Sequence, residues 1–200
     1  MSAGSAGASG ATGGSAGGSR AEASDEELVA MVLDGDREAF AGIVRRHQGK
    51  VFRLGLGFFK DPDDAADFVQ DVMIKAYRHL ASFKGRSRFS TWLYRVAWNA
   101  AAQAKRRKPR YEPLETDPED ASRYSAEELV LRSEAAAALR AAMAELPERY
   151  AACVDLYFYH ELSFAEIGEV TGFPVNTIKS HVFRAKKQLR TALEGPEERR

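Results

Sequence analysis

Cysteine, paired histidines and strand-forming runs are the scarcest features of this sequence, and each shortage removes a class of protein. Cys153 is the only cysteine, so an intramolecular disulfide is impossible and a cysteine-rich zinc site is excluded. His47, His79, His160 and His181 are scattered, with no two at metal-ligand helical spacing. The glycines near the N-terminus lack the strand and helix that a phosphate-binding loop requires. Aspartates stand at 61, 63, 64, 67 and 71, but the glycine turn and terminal glutamate of a calcium loop are missing, and Pro62 stiffens the place where that loop bends. No metal, cofactor or small-molecule substrate is therefore expected, and no enzymatic activity. No apolar stretch approaches the length of a membrane-spanning helix. The first twenty residues are almost entirely Gly, Ala and Ser with one charge, Arg20. That composition has neither the basic start nor the apolar core of a signal peptide, and it buries too little to offset chain entropy. A disordered tail over residues 1–23 and a cytoplasmic protein are expected.

Strand patterns are nearly absent, whereas helical spacing recurs along the chain. Ser24 and Glu27 make a capping box before Leu28, Met31 and Val32. Asp34-Gly35-Asp36 breaks that helix, and Phe40, Ile43, Val44, His47, Val51 and Leu54 mark the next. Asp61 and Pro62 open a third, with Ala65, Phe68, Val69, Val72, Met73, Ala76 and Tyr77 on one face. A loop over residues 83–89 precedes a fourth helix, which Ser90 is placed to cap and Pro109 to end. Pro109 to Ser125 is acidic, contains three prolines and shows no apolar period, so it reads as a flexible linker. Ser125 and Glu128 make another capping box, opening a helix with Leu129, Leu139, Met143 and Leu146. After Pro147 comes a helix with Tyr150, Val154 and Tyr157. The expected fold is all-α: two small helical domains, over residues 24–109 and 126–193, joined by an acidic linker over 110–125. A short tail occupies 194–200.

Net charge is zero, with 29 basic and 29 acidic residues, yet the charges are segregated. Nine basic residues and no acid lie between Lys84 and Arg110. Five aspartates and no base lie between Asp61 and Asp71, and seven acids face one base, Arg123, between Glu112 and Glu128. Such segregation fits one surface for polyanions and a separate acidic surface for another partner.

Two segments carry the chemistry. Leu162 to Arg190 reads as two short helices around Gly172, the second opened by Pro174. Val175, Ile178, Val182, Phe183 and Leu189 recur at helical spacing among Lys179, Arg184, Lys186, Lys187 and Arg190, with no acid from Val175 to Ala192. A helix-turn-helix sets such a second helix in the DNA major groove. In the segment from Phe83 to Lys108, aromatic residues (Phe83, Phe89, Trp92, Tyr94, Trp98) interleave with Arg and Lys. Cations bind phosphates, while aromatic faces and a Gly-Ser-Arg loop suit bases taken out of the stack. Asn99, one turn beyond Arg95, offers a donor and an acceptor to a base edge. Trp92, in phase with Leu93 and Val96, reads as core, and Trp98 stays open between core and DNA contact.

From about Leu28 to Leu189 the chain resembles RNA polymerase sigma factors of the extracytoplasmic-function group. Three motifs carry the resemblance: DPDDAADFVQDVMIKAY from Asp61, FKGRSRFSTWLYRVAWNAA from Phe83, and LSFAEIGEVTGFPVNTIKSHVFRAKKQLR from Leu162. The resemblance implies sigma region 2 in the first domain and sigma region 4, with its helix-turn-helix, in the second. It implies a promoter-specificity subunit that binds core RNA polymerase, reads −35 and −10 elements and directs melting. A stand-alone helix-turn-helix regulator on an operator is the alternative, although such a protein has no use for a melted-strand surface. By the resemblance, Asp64, Asp67, Gln70 and Asp71 face the polymerase clamp. Lys84, Arg86, Ser87, Arg88, Phe89, Ser90, Trp92, Arg95 and Asn99 meet the −10 strand. Asn176, Thr177, Lys179, Ser180, Phe183, Arg184, Lys186 and Lys187 meet the −35 duplex. Family members are often held inactive by an anti-sigma factor, so one is an expected partner. The chain departs from the family pattern at Ala66, where glutamate is common, and at Gln103, where Asp or Asn is frequent.

Overall fold

The structure, a computed structural model, describes residues 20, 22–107 and 126–194. The linker expected over 110–125, its acids from Glu112 to Asp120, the Ser125 capping box, the stop at Pro109, and most of both tails lie outside the described residues. The described chain is helical, with no strand among its described residues. Helices α1 (Asp25–Leu33), α2 (Ala39–Phe59), α3 (Pro62–His79) and α4 (Phe89–Arg107) form one group. A 3-10 turn at Leu80–Ser82 joins α3 to the loop before α4. Helices α5 (Ala126–Ala144), α6 (Glu148–Phe158), α7 (Phe164–Thr171) and α8 (Val175–Leu193) form the other.

Local sequence sets the helix ends. Ser24 and Glu27 satisfy one another's backbone amides at the start of α1, as the S-x-x-E spacing requires. Gly35, at φ 106°, ends that helix in a conformation other residues avoid. Asp61 Oδ1 accepts from the Asp64 amide at 2.8 Å, and Pro62 follows at the first helical position. The start of α4 differs from expectation. It begins at Phe89, and the Phe89 amide donates to Glu26 Oε1 of α1 at 3.1 Å. A carboxylate from another helix thus satisfies a first-turn donor, and Ser90 lies within the helix. Packing also reaches into the stretch expected to be tail. Arg20 bonds Asp36 Oδ2 at 2.8 Å and Glu38 Oε2 at 2.7 Å, and Ala23 is buried.

Apolar stripes on α1 to α4 close around Leu28, Ile43, Val51, Val72, Phe89 and Leu93, each fully or almost fully buried. Burying a side chain of that size stabilises by roughly 1.5–3 kcal/mol. Helices α2 and α3 cross at Gly55, where an added Cβ would fall 2.9 Å from Phe68 Cδ1 and 3.2 Å from Ala65 Cα. In the second group, Ile167, Val170, Ile178 and Val182 form the helix-turn-helix core, while Leu146, Val154 and Ala185 close a smaller cluster beside it. The core of the first group runs without interruption into that of the helix-turn-helix, because α7 packs directly on α4.

The crossing at Gly55 gives a direct test. Gly55→Ala is expected to lower unfolding stability by about 1–3 kcal/mol through overpacking, despite alanine's better helix propensity. Urea titration followed by circular dichroism measures this, and an unchanged midpoint would show that α2 and α3 do not approach so closely.

Candidate nucleic-acid interface

The loop before α4 rests on an aromatic knot. Phe83 meets Phe89 edge-on at 5.5 Å, and Trp92 lies 5.8 Å from Phe83 and 5.5 Å from Phe89. His47 of α2 touches the far side of Phe89 at 5.8 Å, and its Nε2 lies 2.7 Å from Asp25 Oδ2. Phe89 and Trp92 are buried here, which makes them the loop's foundation rather than its exposed face. Above them the backbone turns at Gly85, φ 65°, and Lys84 Nζ donates to the Ala81 carbonyl at 2.9 Å. Lys84, Arg86 and Arg88 are exposed on the loop, with Ser87 and Ser90 half-buried. Arg95 and Asn99 are exposed one turn apart on α4. Lys84, Arg86 and Arg88 on the loop, with Arg95 and Asn99 on α4, expose four cations and one amide, groups able to hold a phosphate backbone and address a base.

Trp98 is half-buried, edge-on to Phe58 at 4.9 Å and to Phe173 of the other group at 6.3 Å. It lines a cleft of about 290 Å³ with Phe58, Ala102, Glu148, Arg149 and Phe173. Its ring belongs to the seam between the two groups of helices.

The helix-turn-helix is built from a second reciprocal cap, at Ser163 and Glu166, that the sequence reading passed over. Ser163 Oγ accepts from the Glu166 amide at 3.3 Å, and Glu166 Oε2 accepts from the Ser163 amide at 2.9 Å. Leu162 and Ile167 flank this cap at the positions of a hydrophobic staple, and both are buried. Gly172, at φ 76°, ends α7, and Thr171 bridges the turn by donating to the Ile167 carbonyl at 2.7 Å and accepting from the Phe173 amide at 3.1 Å. Helix α8 buries Ile178, Val182 and Ala185 and leaves Asn176, Lys179, Ser180, Phe183, Arg184, Lys186 and Lys187 exposed, with Thr177 half-buried. Phe183 is 71% exposed, the most of any large apolar residue described. An aromatic ring left in water beside cations fits apolar contact with a thymine methyl group.

A third surface lies on α3. Asp67, Gln70 and Asp71 are exposed along one face, and Asp64 is half-buried at its start. Ile74, 50% exposed, and Tyr77, 40% exposed, continue that face. Ile74 escaped the sequence reading, although an apolar residue out of phase with the buried stripe was a visible signal. The spacing puts Tyr77 on the buried face, yet the residue stays exposed, in edge contact with Phe40 at 5.0 Å.

Polar contacts cross the seam. Thr91 Oγ1 of α4 donates to Glu166 Oε1 at 3.0 Å, and Arg88 Nε lies 4.0 Å from the same oxygen. Arg53 Nε donates to Asp155 Oδ1 at 3.2 Å while its guanidinium sits 4.0 Å over the Tyr159 ring. His160, fully enclosed, meets Tyr94 edge-on at 4.8 Å. Its Nε2 is 3.2 Å from Asp155 Oδ2 without forming a hydrogen bond. Burial tends to raise the Glu166 carboxyl, but bonds from the Ser163 hydroxyl and amide and the Thr91 hydroxyl, with the nearby Arg88 charge, hold it below its ordinary value. Asp25 is also lowered, first by its bond to His47, against the cost of burial. Burial alone pushes the Cys153 thiol up to about 11, so it is an unreactive packing residue at neutral pH. Among the described residues no helix is long and apolar enough to cross a membrane.

This geometry defines a helical protein of the helix-turn-helix, DNA-binding class, with two separate basic surfaces and an acidic face on a third helix. Comparison with known proteins gives the particular family. The family model described as Sigma-70 region 2 matches residues 43–111, and that described as Sigma-70, region 4 matches residues 136–189. The RNA polymerase sigma-H factor of Pseudomonas aeruginosa is 34% identical over 186 residues, covering 86% of this chain and 95% of that one. The ECF RNA polymerase sigma factor SigW of Bacillus subtilis is 31% identical over 176 residues, covering 82% of this chain and 94% of its own. Among solved structures, the sigma factor RpoE of Bartonella quintana, in complex with the anti-sigma factor NepR, superposes with a TM-score of 0.64 at 20% identity. That match covers 77% of this chain and 96% of the other, and shows the shared fold. The chain belongs to the extracytoplasmic-function group of sigma-70 factors, the promoter-specificity subunits of RNA polymerase. The operator-binding alternative is not favoured.

The two lowered carboxylates fix the sign of the acid response. A lowered carboxylate contributes stability that is complete above its unfolded value, 3.8 for Asp25 and 4.5 for Glu166, and that is lost as pH falls through the folded value. Glu166→Gln keeps a cap acceptor but cannot ionise. It is expected to cost about 1 kcal/mol at neutral pH and less as pH falls below 4.5, by thermal unfolding across that range. A deficit independent of pH would show that ionised Glu166 holds nothing together.

Proposed function

We propose that the three exposed surfaces divide the work of transcription initiation in the cytoplasm. The acidic face of α3, with Asp64, Asp67, Gln70 and Asp71, docks on core RNA polymerase, and Ile74 adds an apolar anchor to it. Lys84, Arg86, Ser87, Arg88 and Ser90, with Arg95 and Asn99, capture the non-template strand of the −10 element, while buried Phe89 and Trp92 hold the loop rigid. Unstacking a base costs a few kcal/mol, so a preformed loop suits a strand already opening. Asn176, Thr177, Lys179, Ser180, Phe183 and Arg184 read the −35 major groove, and Lys186 and Lys187 lie near phosphates. Arg or Lys paired with guanine there contributes roughly 1–3 kcal/mol of discrimination per contact. An anti-sigma factor, the partner seen with the Bartonella quintana relative, fits the regulation of such a subunit. The observation that carries this reading is the coexistence, in one chain, of an exposed basic recognition helix and a separate basic loop on an aromatic foundation.

The test is run-off transcription with purified core polymerase over a promoter library. Core-dependent initiation at a two-part motif is expected, whereas binding to a single duplex site without polymerase would overturn the reading. Reversing charge at Asp67 and Asp71 together should weaken core binding at least tenfold in a pull-down titration, and retained affinity would remove the α3 assignment.

Geometry adds a requirement. Elements centred at −35 and −10 lie about 25 base pairs apart, roughly 85 Å along the duplex at 3.4 Å per step. Helices α4 and α7 touch, so reading both elements at once demands that the seam part. With Cys153 replaced by Ser and dyes on exposed Gln48 and Glu169, energy transfer should be high in the free protein and fall in the promoter complex. High transfer in a transcribing complex would refute this.

A further inference from the structure

We propose that Tyr150, which lies on α6 outside the helix-turn-helix, is a positioning residue that sets how sharply Arg184 discriminates among bases. The proposal rests on the reading of Arg184 as a −35 contact. It is carried by a chain of contacts between α6 and α8. Arg184 Nη1 donates to the Tyr150 hydroxyl at 3.2 Å. The Tyr150 ring is fixed in turn: it lies 4.9 Å from the His181 ring, tilted by 40°, and packs on the cluster of Leu146, Val154 and Ala185. His181 is braced by Cys153 Sγ, 3.7 Å from its Nδ1, and by Phe173 edge-on at 6.1 Å. The phenol oxygen is therefore a fixed point on a rigid support, while the guanidinium it accepts from is exposed.

What such a fixed point does follows from the chemistry of arginine. A free arginine side chain samples many rotamers, and that freedom must be given up to make a bidentate base contact. A single bond at Nη1 selects one family of rotamers before DNA arrives. It leaves the Nε–Nη2 edge, two parallel donors, free for the O6 and N7 acceptors of guanine. Sites held by a supporting shell discriminate better than loosely held ones, because a misplaced donor serves wrong and right bases alike. Burial, then the charges of Arg149 and Arg184, keep the His181 imidazole below its ordinary value. At neutral pH it stands behind Tyr150 as an uncharged ring that does not repel the guanidinium.

Tyr150→Phe removes the hydroxyl and keeps the ring and its packing. The readout is transcription by polymerase holoenzyme from promoters carrying each of the four bases at the position Arg184 reads. That position is located first with Arg184→Ala. Tyr150→Phe is expected to lower preference for the favoured base about three- to tenfold, to leave the melting temperature unchanged, and to have no further effect in the Arg184→Ala background. That non-additivity separates positioning through Arg184 from a structural role. If Arg184→Ala loses discrimination while Tyr150→Phe keeps it, the Tyr150 proposal is wrong and the reading of Arg184 stands. Additive losses in the double variant also overturn it. If Arg184→Ala weakens every promoter equally, Arg184 is a phosphate contact, and the underlying reading fails along with the proposal.

Discussion

The Glu166 carboxylate ties a helix cap to the joint between the two halves of this protein. Glu166 closes the cap of α7 through Oε2 and receives the Thr91 hydroxyl of α4 through Oε1. A helix N-terminus has amides without internal partners, and an N-cap bond contributes about 1 kcal/mol. Here the group that makes the first helix of the helix-turn-helix possible also anchors that helix to the domain behind it. Thr91 is buried by this packing, and on an isolated α4 it would be an ordinary surface hydroxyl beside Arg88 and Arg95. The seam is wetter in chemistry than either core, with Arg53, Asp155, His160 and Tyr94 meeting across it. Interfaces of that composition resemble those between domains that move.

Much of this architecture was legible in the residues. The Ser24–Glu27 box, the Asp61–Pro62 start, the Gly35 and Gly172 breaks and the Pro174 opening are local signals, and each governs the backbone within three residues of itself. What escaped was non-local. Nothing near Phe89 announces that its amide is satisfied by Glu26, sixty-three residues away. Ser90 looked like a cap because a hydroxyl ahead of an apolar run usually is one. The Ser163–Glu166 box is an equally local signal, set inside the apolar run that begins at Leu162. The tail boundary slipped because composition averages over a window, whereas Arg20 acts alone by reaching the acidic turn at Asp36 and Glu38.

The functional surfaces divide along the same line. On α8 the period separates buried Ile178 and Val182 from exposed Lys179 and Arg184, so spacing alone identifies the exposed basic face. Around α4 it does not. Aromatic and basic residues alternate there, and which aromatics face outward depends on what packs beneath them. His47, held by Asp25, takes up one side of Phe89, and Phe83 and Trp92 take the rest. Trp98 was ambiguous because its two neighbours, Phe58 and Phe173, come from opposite ends of the chain.

Zero net charge therefore has a physical meaning here that the total conceals. A uniformly basic protein would bind any duplex through phosphates and gain little selectivity. In this chain Lys84, Arg86 and Arg88 are exposed together on the loop before α4, Lys179, Arg184, Lys186 and Lys187 on α8, and Asp63, Asp67 and Asp71 on α3. Other exposed cations, such as Arg37, Arg45, Lys60, Arg78 and Arg149, are scattered. Phosphate contacts alone are salt-sensitive and carry no sequence information. Selectivity needs side chains whose positions the fold fixes. Phe183 is held out in solvent, Arg184 is tied to Tyr150, and Asn99 is set one turn from Arg95. Tight binding has to come from a partner that brings both surfaces to one DNA, and the acidic face of α3 is chemically opposite to nucleic acid. A protein surface, not DNA, is what that face can meet.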